Sequence, residues 1–242
     1  MTVSRSTICK GCWQNMHVPI VIRGPLSIPF RMLGIRISRM NPNLCTVCET
    51  FFSRVWGKKR AVFPATVLFA DLRGYTSMAE AAPQEDVVDM LDAFYDECAT
   101  AIWERDGVVI KFIGDAVLAI FNFPCQCEDH VERAVLAGLD IQRRWPQRAQ
   151  PASGGGADLG IGIGIHTGMA SIGELGNACK EFTITGPVVN LAARMESTAG
   201  AGAILVSPEV YERCTNTVPP SEPREFQLKG IDRPVMLHQL HA

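Results

Sequence analysis

The sequence predicts an α+β fold: an antiparallel-rich sheet with helices on one face, built on a ferredoxin-like split β-α-β core. Three observations lead there. From about residue 65 onward, apolar β-branched runs and amphipathic stretches follow in the order β-α-β-β-α-β. Two of the runs, Val108–Ile113 and Val117–Phe123, are separated only by Gly114-Asp115-Ala116, which makes them a hairpin. A later run, Leu159–His166, has glycine at every second position from Gly160 to Gly164, so one face of that strand is bare and something packs closely on it.

The elements follow in order. Ala65–Ala70 is apolar and β-branched, a buried strand ending at Asp71. Val87, Leu91, Phe94, Cys98 and Ile102 recur at helical spacing, so 84–105 is an amphipathic helix, stopped by Gly107. After the hairpin, Asp129–Trp145 reads as a second helix with Asp129 at its N-cap. Pro151–Asp158, with Gly154-Gly155-Gly156, is a flexible loop before the glycine-alternating strand. Phe182–Thr185 is a short strand and Val188–Ser197 a helix, and Ile204–Val206, Phe226–Leu228 and Val235–Leu240 complete the strands.

Length and charge divide the chain. Its 242 residues suffice for one large domain, or one domain with a small module, and can bury roughly 70% of the unfolded surface without disulfides. Hydrophobic residues at 47% and charged residues at 20% argue against a mostly disordered chain. Residues 1–61 hold 10 Lys/Arg and a single acid, Glu49, a net +9, while 62–242 hold 13 Lys/Arg against 24 Asp/Glu, a net −11. Residues 1–49 are broken by Pro19, Gly24, Pro25, Pro29, Gly34 and Pro42 and keep no helical or strand period; Thr50–Arg60 is a connecting segment. The expected division is therefore a basic module over 1–61 and a second domain over 62–242.

Neither a transmembrane helix nor a signal peptide is expected. The longest uncharged stretch near the N-terminus, Gly11–Ile22, is too short to span and contains Pro19, and Lys10 with paired cysteines stands where an apolar leader would run. Cys98, Cys125, Cys127, Cys179 and Cys214 are scattered through the chain, as free thiols are in a reducing cytoplasm. Cys9-x-x-Cys12 and Cys45-x-x-Cys48 are different. Four thiolates suit a tetrahedral Zn²⁺, but the gap between the pairs is longer than usual, and an iron–sulfur cluster, free thiols or two redox pairs stay open. The module's positive charge suits the acidic domain itself, a regulator, nucleic acid, or peripheral contact with an anionic membrane.

Two acids stand out by position. Asp71 ends a buried strand, and Asp115 sits at the tip of the hairpin. In a split β-α-β core that strand lies beside the hairpin, so the carboxylates face each other across adjacent strands. Each alone could cap a turn. Together they offer hard oxygen ligands for Mg²⁺ or Mn²⁺, a pair of which can clamp the attacking and leaving oxygens of a phosphoryl transfer. The turn Leu72-Arg73-Gly74-Tyr75-Thr76 presents backbone amides that can hold phosphate oxygens. Asn190 and Arg194 are four apart, on one helix face, and suit a sugar hydroxyl and a phosphate. In isolation a solvated Arg and a locally bonded Asn are the favoured reading of the pair. His130 and His166 read as hydrogen-bonded structural residues.

The stretches VLFADLRGYT, GVVIKFIGDAVLAIF, LGIGIGIHTGMASIGELG, FTITGPVVNLAARMES and FQLKGIDRPVMLHQL occur in one order over residues 65–240. In that order they closely resemble the catalytic domain of class III nucleotidyl cyclases, the adenylate and guanylate cyclases. The resemblance implies that fold for 62–242. It makes Asp71, Asp115 and the Leu72 position the metal site for two ions, Lys111 and Thr183 the readers of the base, and Leu72–Thr76 the phosphate turn. Asn190 and Arg194 become the pair that orients the ribose and stabilises the transition state. Thr at position 183 is typical of the class IIIb branch, which includes bicarbonate-responsive enzymes. Ala116 and Pro187 depart from the usual pattern without removing a ligand, and Lys229 lies near a triphosphate-contacting position. Lys111 only donates, which suits the acceptor N1 of adenine, and Thr183 can accept from its 6-amino group, so ATP is expected over GTP. The resemblance further implies a homodimer whose shared sites take metals from one chain and the other four residues from its partner. A guanylate cyclase or a non-catalytic nucleotide-binding sensor are the alternatives.

Overall fold

The structure, a computed structural model, describes residues 5–49, 60–148, 159–176, 178 and 181–242. The expected linker up to residue 59, the Pro151–Asp158 loop and Cys179 lie outside the described residues. The N-terminal part holds short helices that its broken sequence pattern hides: α1 (Lys10–Met16), a 3₁₀ turn (Pro25–Ser27) and α2 (Ile28–Met32). Strand β1 (Arg60–Leu72) is longer at both ends than its apolar run, because the ladder to a neighbouring strand continues from Arg60 through Leu72. Helices α3 (Tyr75–Ala81) and α4 (Gln84–Glu104) follow, then β2 (Val108–Ile113), β3 (Ala116–Phe121) and α5 (His130–Arg148). The second half holds β4 (Ile161–Leu175), β5 (Glu181–Thr185), α6 (Pro187–Thr198), β6 (Ile204–Val206), α7 (Pro208–Glu212), β7 (Arg224–Phe226) and β8 (Val235–Leu240).

The sheet order is β2-β3-β1-β4-β6-β8-β7, with β5 paired to the far part of β4. β1 lies between antiparallel β3 and antiparallel β4, and β3 separates β1 from β2, which is the expected split β-α-β arrangement. β4 runs well past His166, since Thr167–Leu175 pair first with β1 and then with β5. The expected strand at Phe226–Leu228 lies instead at Arg224–Phe226, and Leu228 is buried beneath a turn.

Side chains alternate across the sheet as the period of two requires. Leu68, Ala70 and Leu72 of β1 and Ile161, Ile163 and Ile165 of β4 face α4 and α5, where Phe94, Cys98, Ile102 and Val135 close the core. The opposite face is not open, which corrects the expectation of helices on one side. Val67 and Phe69 of β1 and Leu118 and Ile120 of β3 share a second core with Ile184 of β5 and Val188 and Ala192 of α6. The bare glycines explain how α6 gets there. A Cβ at Gly164 would collide with the α6 backbone at Ala192 and Glu196, and one at Gly160 with Ala201.

The basic module packs on this second core beside the start of β2. Cys9, Cys12, Ile22 and Leu44 are buried in one cluster with Val108, Ile120 and Phe123. Lys10 pairs with Asp106 at 2.6 Å, and Asn15 Nδ2 donates to Pro124 O at 3.0 Å. Of the partners its charge suited, the acidic domain is thus one it touches directly. Leu26, Ile28, Met32 and Leu33 stand exposed on its outer side, beside Arg31 and Arg36. No helix of the described residues is long and apolar enough to cross a membrane.

Candidate active site

Alternation along β1 turns Asp71 away from α4 and α5, toward α6. Its ladder neighbour on β3 is Ala116, so the hairpin tip delivers Asp115 beside it, and the Leu72 N–H donates to Asp115 O at 3.1 Å. Gly114, with φ 59°, makes the left-handed turn that an ordinary residue resists. The two carboxylates therefore share one end of the sheet.

A third acid and one arginine complete this corner, and sequence reasoning missed the acid. Glu196, buried on α6, receives Arg73 Nη2 at 2.6 Å, and the same guanidinium donates from Nη1 to Asp71 Oδ1 at 2.8 Å and from Nε to Ala199 O at 2.9 Å. The guanidinium lies where Gly162 has no side chain. An acid on the buried face of a helix was the available signal, since Glu196 follows Ala192 by one turn.

Burial pushes the Asp71 carboxyl up to about 7; the Glu196 charge adds to this, Arg73 opposes it, and Asp115 raises it further. Three acids and one cation form a corner of excess negative charge. Its donors are hard carboxylate oxygens, so the residues present fit Mg²⁺ or Mn²⁺. Leu72 is buried in the α4–α5 core, so only its backbone can serve a metal.

The sign of the pH effect follows from that shift. With the folded value above the unfolded one, the native state holds the proton more tightly, so this group's stabilising contribution is complete below about pH 4. It is lost as pH rises toward and through 7. Asn imitates the protonated acid. Without divalent metal, Asp71→Asn is expected to raise the melting temperature at pH 8 by roughly 5 °C, about 2 kcal/mol after allowing for partial solvent access. The difference should vanish near pH 4. Thermal melts across pH check this, and a variant destabilised at pH 8 would contradict it.

The phosphate turn needs correction. The Leu72 amide is taken by Asp115 O, the Arg73 amide donates to Gly160 O at 2.8 Å, and the Arg73 guanidinium is committed to Asp71 and Glu196. Leu72 and Arg73 therefore drop out as phosphate donors because the fold uses their N–H groups. Gly74, at φ 84°, Tyr75 and Thr76 remain at the turn into α3.

The remaining residues gather elsewhere. Lys111 Nζ on β2 reaches Glu181 Oε1 on β5 at 2.8 Å. Glu181 and Thr183 are two apart on one strand, so Lys111 and the buried Thr183 share a face of β5. Glu181 is the second residue missed; its two-residue spacing from Thr183 was the signal. Pro187 opens α6 at its first turn, a position that needs no N–H, so the departure there has a structural use. Asn190 is exposed, and Arg194 lies over Gly230, beside Lys229. Ala192 and Glu196 face the sheet, and each is two residues, about 200° of helix, from Asn190 and Arg194 respectively. Asn190 and Arg194 therefore point away from their own chain's Asp71. His130 Nδ1 bonds Thr66 Oγ1 at 2.7 Å and His166 Nδ1 bonds Ser207 Oγ at 2.8 Å; burial lowers the pKa of both.

A split β-α-β sheet with paired acids at one end and an Asn/Arg helix on its second face defines the class III nucleotidyl cyclase fold. Residues 58–242 match the adenylate and guanylate cyclase catalytic domain, and the chain belongs to that family. Adenylate cyclase 1 of Rhizobium meliloti is 32% identical over 63% of this chain and 24% of its own length. The adenylate cyclase of Mycobacterium tuberculosis is 31% identical over 69% of this chain and 37% of its own. The chain thus spans well under half the length of these curated relatives. Among solved structures, the adenylyl cyclase CyaB from P. aeruginosa matches with a TM-score of 0.69 and 30% identity, covering 76% of this chain and 97% of that one. The guanylyl cyclase Cya2 matches with a TM-score of 0.67 and 30% identity, covering 76% and 94%.

Proposed function

We propose that the chain is an adenylate cyclase that converts ATP to 3′,5′-cyclic AMP and pyrophosphate at sites shared across a homodimer. The ribose 3′-hydroxyl gives up its proton to solvent and its oxygen bonds to the α-phosphorus, the bond from that phosphorus to the oxygen bridging toward the β-phosphorus breaks, and pyrophosphate leaves. The observation that carries ATP is the shared face of Lys111 and Thr183. An ammonium donor and a hydroxyl acceptor match adenine N1 and its amino group, while guanine presents a donor at N1. Asp71 and Asp115 would hold the divalent ions, which supply charge stabilisation at the α-phosphate when bound. Gly74, Tyr75 and Thr76 face the phosphates. Asn190 orients the ribose, and Arg194 neutralises charge developing on the phosphoryl oxygens.

The outward direction of Asn190 and Arg194 supports the dimer, because one chain's arginine does not face its own acid pair. Exposed apolar Phe112 and Ile113 beside Asp115 are surface that a second protomer would cover.

One observation favours GTP. The Glu181 carboxylate, on the face of Thr183, can accept from guanine N1–H and its amino group. Product analysis with each nucleotide decides: cyclic AMP supports the proposal, cyclic GMP the alternative, and no cyclic product would leave a nucleotide-binding sensor. Exchanging Lys111 for Glu and Thr183 for Cys is expected to lower kcat/KM for ATP ten- to a hundredfold, the effect of roughly 1–3 kcal/mol of lost buried hydrogen bonding. Unchanged ATP kinetics would remove both residues from base reading.

A further inference from the structure

The two cysteine pairs, distant in sequence, converge in the basic module. Cys9 Sγ lies 3.4 Å from Cys48 Sγ, Cys12 Sγ lies 3.4 Å from Cys45 Sγ and 3.5 Å from Cys48 Sγ, and Cys45 and Cys48 are 4.0 Å apart. All four sulfurs lie within 4.8 Å of one another, and all four residues are buried. A disulfide needs about 2.05 Å, so none joins them. Zinc–sulfur bonds of about 2.3 Å place the corners of a tetrahedron about 3.8 Å apart, which matches these separations. In an iron–sulfur cluster the cysteines bind different irons with sulfides between them, so some ligand pairs must stand apart by the breadth of that core. Here no pair does.

The cluster's neighbours say what an ion there would hold. The second cysteine pair follows the segment Met40–Asn43, which is bonded to the catalytic domain. The Met40 carbonyl accepts the Val109 N–H at 3.0 Å and the Trp103 indole N–H at 2.7 Å, and Asn41 Nδ2 donates to Gly107 O at 2.7 Å. Asn43 O accepts the Lys10 N–H at 3.0 Å, tying that segment to the first pair. Among its described residues the module has little regular structure of its own: helices of seven and five residues, one 3₁₀ turn, the helical residues 46–49, and isolated bridges at Ile8–Val21 and Ile37–Cys45. A fold with so little core depends on a cross-link.

We propose that Cys9, Cys12, Cys45 and Cys48 bind one zinc ion as four thiolates, and that this ion fastens Met40–Asn43 to the start of β2. Each thiol releases its proton to solvent as the ion enters. Lys111 stands two residues beyond Val109, past a register shift in the β2–β3 ladder. On the base-reading role proposed above, the ion thereby sets how Lys111 is presented.

Metal analysis of the purified chain should give one zinc per chain and a colourless protein. Stoichiometric iron with visible absorption, or no bound metal, overturns the proposal. Replacing zinc by Co²⁺ should produce the absorption of a tetrahedral thiolate site, and its absence also overturns it. Because Cys45→Ser risks failing to fold, the fastening is read by amide exchange in residues 108–113 of the wild-type chain. Stripping zinc should speed exchange at Val109 at least tenfold. Asn41→Ala, which keeps all four ligands, should do the same with zinc still bound. Unchanged exchange in either one overturns the fastening. The KM for ATP of zinc-loaded Asn41→Ala should rise several-fold, and an unchanged KM beside faster exchange overturns the link to Lys111. A failure of the base-reading role itself would appear separately, in zinc-loaded Lys111→Glu.

Discussion

Asp71→Ala and Asp115→Ala chains are each expected to lose cyclase turnover by more than about a thousandfold, a barrier increase of roughly 4 kcal/mol. Both carboxylates are assigned to the divalent ions at the α-phosphate, and either loss leaves charge there uncompensated. Stability separates this from simple unfolding. Asp71 sits in a corner that disfavours its charge, so removing it relieves repulsion with Glu196 and Asp115. A variant that melts no earlier than wild type at pH 8 yet makes no cyclic nucleotide is the expected combination. Near-normal rates in either variant, with Mg²⁺ or Mn²⁺ supplied, would remove that acid from the metal site.

Mixing two silent variants is expected to restore activity. Asp71→Ala chains lack the metal site, and Arg194→Ala chains lack the charge that stabilises the transition state, so each homodimer should be nearly inactive. In a mixed dimer, one site takes its acid and its arginine from the two altered residues, and the other takes both from intact ones. Random pairing puts half of the chains into mixed dimers with one working site in two. Recovery should therefore approach about a quarter of wild-type activity by symmetry. The geometry behind this is the turn of α6, which presents Glu196 to its own chain's Arg73 and carries Arg194 to the other side. No recovery, with subunit exchange shown by labelled chains, would place all of these residues in a single chain's site.

The β-α-β-β-α-β order, the hairpin, and the close packing over Gly160, Gly162 and Gly164 were legible from the sequence alone. Each is recorded locally: apolar period distinguishes strand from helix, a short gap makes a hairpin, and missing side chains mark a surface another backbone can approach. The neighbourhood of Asp71 and Asp115 was legible too, because a split core leaves one place for the hairpin. What tertiary structure decided depends on pairs far apart in the chain. Only the folded sheet shows that α6 covers its second face. Nothing local to LRGYT reveals that Arg73 turns inward to Glu196, more than a hundred residues on, and so leaves the phosphate turn. The pairing of Lys111 with Glu181 arises because β5 folds back along β4 toward β2, a path set by long-range ladders. The four cysteines announced themselves as two pairs, but their spacing left metal, cluster and free thiols all open. Sulfur positions are fixed by how the two halves of the module pack together, and a sequence records the ligands without the distances between them.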